Sequence, residues 1–343
     1  MEYTRLGNTG LVVSRLAFGA MTFGSGNIPS IYKVDEGNAR ALVDRALAAG
    51  INFFDTADAY ADGGSERILG QVLGTRRQEV VLTTKVGMRS GANLLQTGLS
   101  RRHILSSCDA SLTRLGTDYI DLYIVHRFDP ITPLEETLEA LDSLVRAGKV
   151  RYVGYSNWAA WQAAKAVGLQ ERHGWARFVA AQMYYSLVGR DLEHEVLPFV
   201  RDAGIGTLIW SPLASGFLSG KYTRENLQDQ NNRLSGFDFL PFDKEAGFQL
   251  VEAMRPIAQV HQASVAQVAL AWLLQKAGVG TLLLGASKMH QLEDNLGALQ
   301  VKLSAAEMKT LDERSPHASY YPNWFTDRLR DPQVDQALGG PST

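Results

Sequence analysis

Eight short apolar runs recur along the 343-residue chain, at Leu16–Gly19, Ile51–Phe54, Val80–Thr84, Ile120–Val125, Tyr152–Tyr155, Phe178–Gln182, Gly206–Trp210 and Thr281–Leu284, and a helix-bearing segment follows each. Runs this short, bounded by turn residues, read as strands buried on both faces. Strand–helix alternation calls for a parallel sheet with its helices outside. Two architectures meet that requirement. An open doubly wound sheet normally carries Gly-x-Gly-x-x-Gly after an early strand, and Phe18-Gly19-Ala20-Met21-Thr22-Phe23-Gly24 lacks that spacing. Strand count and length instead predict an α/β fold, a closed (β/α)8 TIM barrel. It is expected to form a single domain over 1–343, with the barrel core at about 15–300 and a C-terminal helix and tail at 301–343.

The connecting segments carry their own signals. Tyr3–Ser14 reads as a hairpin, with turn chemistry from Gly7-Asn8 and Thr9-Gly10, placed to plug one end of the barrel. Ala20–Gly37 reads as a long loop, then Asn38–Ala49 as a helix closed by Gly50. Helices are also predicted at Ser65–Leu73, Arg101–Leu115, Ala159–Gln170, Leu192–Ala203, Phe248–Gln262, Val265–Ala277 and near Gln291–Leu299. Thr132-Pro133-Leu134-Glu135, Ser264-Val265-Ala266-Gln267 and Ser304-Ala305-Ala306-Glu307 read as capping boxes, the first with proline at the first helical position. Ser219–Lys244 is a second long loop, a length usually reserved for function or disorder. The tail cluster Tyr320-Tyr321-Pro322-Asn323-Trp324-Phe325 suits a docking anchor, a pocket wall or a subunit contact; docking on the body is the favoured reading.

Composition excludes more than it selects. With 34 basic against 36 acidic residues, a net charge of −2, and no basic block, nothing favours nucleic acid or an anionic membrane. The single cysteine, Cys108, falls on the apolar side of a predicted helix and reads as an inert buried thiol. No apolar run approaches the ~18 residues of a membrane span, and Met1-Glu2-Tyr3-Thr4-Arg5 does not open a signal peptide. A cytoplasmic protein is the expectation.

Polar residues at strand ends carry the chemistry. Asp55 closes the second run, Lys85 the third and His126 the fourth, while Tyr60 lies in the loop after Asp55. Parallel strands end on one face of a barrel, so these four are expected to converge there. A nearby ammonium is expected to lower the tyrosine pKa, with Asp55 holding Lys85 charged. His126 is placed to bond a substrate oxygen or help relay a proton. That set suits proton donation to a carbonyl oxygen. Taken singly, the same residues also fit a structural ion pair, a loop aromatic and a core histidine.

From Leu6-Gly7 to about Leu311 the chain resembles the aldo-keto reductases. The resemblance implies Tyr60, Asp55, Lys85 and His126 as a catalytic tetrad and NADP(H) as cofactor. It further implies that Ser156, Asn157 and Gln182 hold the nicotinamide amide, while the Trp210 indole offers a stacking plane or ordinary core packing. The loop amides of Ser211, Leu213 and Gly216 are placed to meet a pyrophosphate, Gly285-Ala286-Ser287-Lys288 leads into a helix N-terminus where Ser287 and Lys288 suit a 2′-phosphate, and the resemblance puts Gln291, Asp294 and Asn295 around the adenine. Met21, Phe23 and Phe128 are expected to wall the substrate pocket, with the Ser219–Lys244 loop and the tail. No metal site is expected. Partners are a small-molecule carbonyl or alcohol, with a homo-oligomer left open. Trp210-Ser211-Pro212-Leu213-Ala214 and Gly220-Lys221-Tyr222 resemble the branch containing potassium-channel β subunits. An NADPH-binding regulatory subunit with little turnover is therefore the alternative to a reductase. His126 stands where the resemblance gives those subunits asparagine, which favours the reductase. A Schiff-base aldolase with Lys85 as nucleophile is a third option, opposed by the Asp55 partner.

Overall fold

Parallel pairing of the eight apolar runs closes them into a barrel of order β10-β3-β4-β5-β6-β7-β8-β9, with β10 (Thr281–Gly285) hydrogen-bonded to both β3 (Leu16–Gly19) and β9 (Gly206–Trp210). The structure is a computed structural model and describes residues 1–26, 28–227, 229, 233–315, 317–329 and 331–337. Between β3 and β9 the strands are β4 (Phe53–Asp55), β5 (Val81–Val86), β6 (Ile120–Val125), β7 (Val150–Ser156) and β8 (Phe178–Tyr184). The helices of this stretch are α1 (Glu36–Ala48), α2 (Gly64–Leu73), α3 (Arg101–Leu115), α4 (Leu134–Arg146), α5 (Ala160–His173) and α6 (Val196–Asp202). After β9 come α7 (Arg233–Gly236), α8 (Lys244–Val260) and α9 (Val265–Gln275); after β10 come α10 (Met289–Leu296), α11 (Ala305–Arg314), α12 (Asn323–Arg328) and α13 (Pro332–Ala337).

Side chains alternate along each strand with period two, so each strand feeds two cores. Phe53, Val81, Leu122, Ile124, Ala180 and Leu208 fill the barrel interior, whereas Phe54, Leu82, Tyr123, Val125 and Ile209 pack outward under the helices. The hairpin β1 (Tyr3–Arg5) and β2 (Val12–Ser14) does plug the barrel: Leu6 and Val13 join the interior cluster. Gly7 permits this seating. Its φ is +57°, and a Cβ there would stand 2.6 Å from Gly204 O and from Gly206 N.

Several local expectations are revised. Ser264 and Ser304 form capping boxes as predicted, but Pro133 is itself the N-cap of α4, and Thr132 Oγ1 donates to Asp129 Oδ2 instead (2.7 Å). The helix expected at Leu192–Ala203 breaks into a 3-10 turn, Asp191–Glu193, and α6. Gln291–Leu299 is likewise α10 followed by a 3-10 turn. Ala20–Gly37 is not loop throughout, since Ala20–Thr22 makes a 3-10 turn and Phe23 bridges Val34. Part of Ser219–Lys244 and the end of the tail lie outside the described residues. What is described of the tail docks narrowly: Tyr320 packs on His194 (4.8 Å) and Asn323 Nδ2 donates to His194 O (2.9 Å). Tyr321, Trp324 and Phe325 stay 72%, 37% and 47% exposed. Cys108 is buried, and burial pushes its thiol up to about 12. Among the described residues no single helix is long and apolar enough to cross a membrane.

Candidate active site

Period-two alternation also determines which polar side chains enter the barrel mouth. Phe53 points inward, so Asp55 does too; Val81 points inward, and two steps of two bring Lys85 to the same side. Ile124 is followed two residues on by His126, and Ala180 by Gln182. Lys85 lies inside β5 rather than after it, because the strand runs on to Val86. Tyr60 arrives from a 3-10 turn, Tyr60–Gly63, in which Ala61 and Asp62 adopt left-handed φ of 49° and 52°.

The structure brings all four expected residues together. Lys85 Nζ donates to Asp55 Oδ1 (2.6 Å), to the Thr56 carbonyl (2.6 Å) and to the Tyr60 hydroxyl (3.3 Å). Three ammonium hydrogens thus have three acceptors. Gln182 Nε2 donates to the other Asp55 oxygen (2.8 Å). The Tyr60 and His126 rings meet edge-on at 5.7 Å. Burial works against a charged Lys85, but Asp55 and Tyr60 outweigh it and raise its pKa. Burial likewise raises Asp55, against the pull of Lys85 and Gln182. The expected lowering of Tyr60 is corrected. Lys85 does favour the phenolate, yet burial is stronger and Asp55 adds to it, so the phenol stays above its ordinary value of 10.0. Burial, with Lys85 and Arg127 adding to it, lowers His126 to about 3, leaving a neutral imidazole whose buried Nδ1 meets no partner among the described residues.

A second constellation flanks the first. Ser156 Oγ donates to Gln182 O (2.7 Å), Asn157 Nδ2 donates to His126 O (3.0 Å) and Ser156 Oγ (2.8 Å), and Trp210 Nε1 donates to Asn157 Oδ1 (3.0 Å). Asn157 holds φ +58°, a conformation asparagine tolerates. Past β9, Ser211, Ala214, Ser215 and Gly216 all have positive φ, and Ser211 Oγ accepts from Ser215 N (2.9 Å). Such inverted turns turn backbone amides toward anions. Leu213 caps the following 3-10 turn, and a Cβ on Gly216 would approach Lys221 Nζ to 3.3 Å. Gly285 ends β10 in open space, and Lys288 is the N-cap of α10 without a side-chain cap bond. Gln291 Oε1 accepts from Ser287 N (3.0 Å) and Ser287 Oγ (3.3 Å), while Asn295 is buried. Asp294 is committed elsewhere, accepting from Ser264 Oγ (2.8 Å) and Gln267 Nε2 (3.1 Å).

Of the expected pocket walls, Met21 is half-buried and Phe128 packs edge-on against Trp158 (5.2 Å). Phe23 is no wall: it is fully buried with its ring 5.6 Å from Phe18, because the 3-10 turn and the Val34 bridge direct it into the core. Two contributors escaped the sequence reading. Tyr184 packs on Trp210 at 5.1 Å, and the alternation that places Gln182 would have found it. Thr56 contributes a carbonyl, which no side-chain signal reveals. Among the described residues no group of three His, Cys, Asp or Glu could hold a metal ion.

The model of the Aldo/keto reductase family matches residues 15–315. The chain belongs to that family. Among curated relatives, versiconal hemiacetal acetate reductase of Aspergillus parasiticus is 34% identical over 334 residues, covering 91% of this chain and 96% of that protein. A probable voltage-gated potassium channel subunit beta of Oryza sativa subsp. japonica is 38% identical, covering 88% and 92%. The oxidoreductase YrpG of Bacillus subtilis, uncharacterized, is 38% identical, covering 92% and 96%. This aldo/keto reductase therefore lies close to both reductase-named and channel-subunit-named proteins, and an oxidoreductase acting on carbonyl groups is the general reading they support.

Proposed function

We propose that the chain catalyses reversible, NADPH-preferring reduction of an aldehyde or ketone to an alcohol, with Tyr60 as proton donor. The observation that carries this is the Lys85 ammonium joined to both Asp55 and the Tyr60 hydroxyl. Since Tyr60 accepts from Lys85, its own proton is directed elsewhere, and Lys85 stabilises the phenolate left by its transfer. A neutral His126 beside it suits hydrogen bonding to a carbonyl oxygen rather than charge transfer. With every Lys85 hydrogen engaged and its pKa raised, an aldolase nucleophile is disfavoured.

The residues fit a dinucleotide. The half-exposed Trp210 offers a flat surface, while Ser156, Asn157 and Gln182 offer amide and hydroxyl groups at the barrel mouth. The positive-φ turn of Ser211–Gly216 and the N-terminus of α10, with Ser287, Lys288, Gln291 and Asn295 there, suit phosphates. Bound NADPH would supply the hydride.

Cofactor choice is testable at Lys288. Its position at the α10 N-cap favours a 2′-phosphate, which NADH lacks. Lys288→Glu is expected to weaken NADPH about tenfold, the lower end for an exposed charge-assisted hydrogen bond, and to leave NADH nearly unchanged. Dissociation constants from Trp fluorescence quenching at fixed salt decide this, and equal weakening of both cofactors argues against the assignment.

The alternative is a regulatory subunit with little turnover, which the description of the rice relative fits without favouring. A panel of carbonyl substrates followed by NADPH absorbance separates the two, because tight NADPH binding without any turnover supports the subunit. His126→Asn sharpens the test. It is expected to cut turnover by about two- to tenfold, the worth of a neutral hydrogen bond, and to spare NADPH affinity. An unchanged rate would make His126 structural.

A further inference from the structure

Between Asp55 and Tyr60 lies a second carboxyl side chain, Asp58, that the mechanism above does not use. Asp58 is 3% exposed, and neither carboxylate oxygen meets a hydrogen-bond partner in bonding geometry among the described residues. Its own backbone N–H donates to the Lys85 carbonyl (3.3 Å), and Tyr60 N donates to Ala57 O (3.2 Å). With Thr56 N donating to Thr83 O (2.9 Å), the segment 55–60 is thus fastened to β5 up to Asp58 and closes on itself in the turn that carries Tyr60. An ionised carboxylate buried in this way is costly; a buried group without a partner calls for a physical reason.

The surroundings supply one. Glu66 of α2 is fully buried, accepting from Thr84 Oγ1 (2.5 Å) and from Arg114 Nε (2.5 Å). Arg114 of α3 is therefore already committed to Glu66, and Lys85 of β5 to Asp55. Glu66 repels a negative Asp58, while Arg114, Lys85 and the Ala59 amide favour it only weakly. From β6, the Tyr123 hydroxyl is buried and also meets no partner among the described residues; it feels Asp58, Glu66, Arg114 and the Cys108 thiol of α3. Each of the two cations, Arg114 and Lys85, is already paired with another carboxylate.

We propose that Asp58 is a positioning residue, a buried carboxylic acid whose neutral form lets the Tyr60 turn pack beside Lys85 and whose ionisation displaces that turn. An anion here competes with Asp55 for Lys85 and with Glu66 for Arg114, and both competitions disturb the segment that carries Tyr60. Burial, then Glu66, holds the Asp58 pKa up to about 7. Tyr60 stays above 10.0 and His126 falls to about 3. A loss of turnover on crossing neutrality therefore belongs to neither of them, and the Asp58 variant separates Asp58 from Asp55, which burial also raises.

The kinetic arm rests on the proposed reductase reading; the spectroscopic arm does not. NMR of the full chain would follow the Asp carboxyl carbons and the amides of Ala59, Tyr60 and Ala61 through the neutral range, with Asp58→Asn assigning the Asp58 signal. One carboxyl is expected to titrate near pH 7, with the three amides moving at the same midpoint and remaining still in Asp58→Asn. In parallel, turnover at saturating NADPH should fall across that midpoint in the natural chain and stay level in Asp58→Asn. Should the asparagine variant not fold, Asp58→Ser gives the same comparison. An Asp58 carboxyl ionised throughout, or amides that shift identically in the variant, overturns the proposal. Absence of turnover with every carbonyl, alongside the expected NMR titration, overturns the reductase reading and leaves this one standing.

Discussion

Tyr60→Phe is expected to lower carbonyl turnover by about 10²–10⁴-fold, the usual worth of a positioned general acid, with NADPH affinity nearly unchanged. The substitution removes one oxygen and keeps the ring, so the edge contact with His126 and the approach of Lys85 Nζ to the ring, 4.8 Å from its centre, have no reason to be lost. Lys85 loses its most distant acceptor only; Asp55 Oδ1 and the Thr56 carbonyl, both at 2.6 Å, still hold it. Folding stability is thus expected to fall by no more than about 1 kcal/mol, a single hydrogen bond. Single-turnover kinetics with pre-bound NADPH separates the chemical step from binding. Because burial keeps the phenol above its ordinary 10.0, the natural enzyme retains its proton donor through neutral and mildly alkaline pH. Near-normal turnover in the variant would end the proton-donor assignment.

The barrel was legible because its signal is local. Each strand is a short apolar run, and two-residue alternation within it, as at Phe53 and Asp55 or Ile124 and His126, requires only a few neighbouring letters. What the sequence left hidden depends on residues far apart along the chain. Gln182 bonds Asp55 from 127 residues away, and no periodicity connects them. Phe23 is expected as a pocket wall from its place in the Ala20–Gly37 loop, but the bridge to Val34 turns it inward. The sign of the Tyr60 shift is hidden from the sequence for a related reason. The neighbouring ammonium is readable from the strand pattern, whereas the opposing desolvation belongs to the assembled barrel. Pro133 shows a smaller version of the same limit. Its box motif is present, but the Thr132 hydroxyl is drawn to Asp129, whose Oδ2 also accepts from Leu99 N (2.7 Å).

Removing Lys85 is expected to have the largest effect on the fold itself. Lys85 is fully buried and Asp55 nearly so, and in Lys85→Met the Asp55 carboxylate keeps only the Gln182 amide as a polar partner among the side chains described here. Breaking one half of a buried ion pair costs about 3–5 kcal/mol, mostly for the charge left behind. The Asp55→Asn/Lys85→Met double variant leaves no charge, and asparagine oxygen can still accept from Gln182. It is therefore expected to be more stable than Lys85→Met alone, although it carries one more substitution. Turnover should not return, because Tyr60 has lost the ammonium that stabilises its phenolate. Urea unfolding midpoints of the natural chain, both single variants and the double variant, compared at constant slope, measure the coupling. If the double variant loses as much stability as the two single changes summed, Asp55 and Lys85 are not an interacting pair in solution, and the arrangement on which the proton-donor role of Tyr60 depends falls with it.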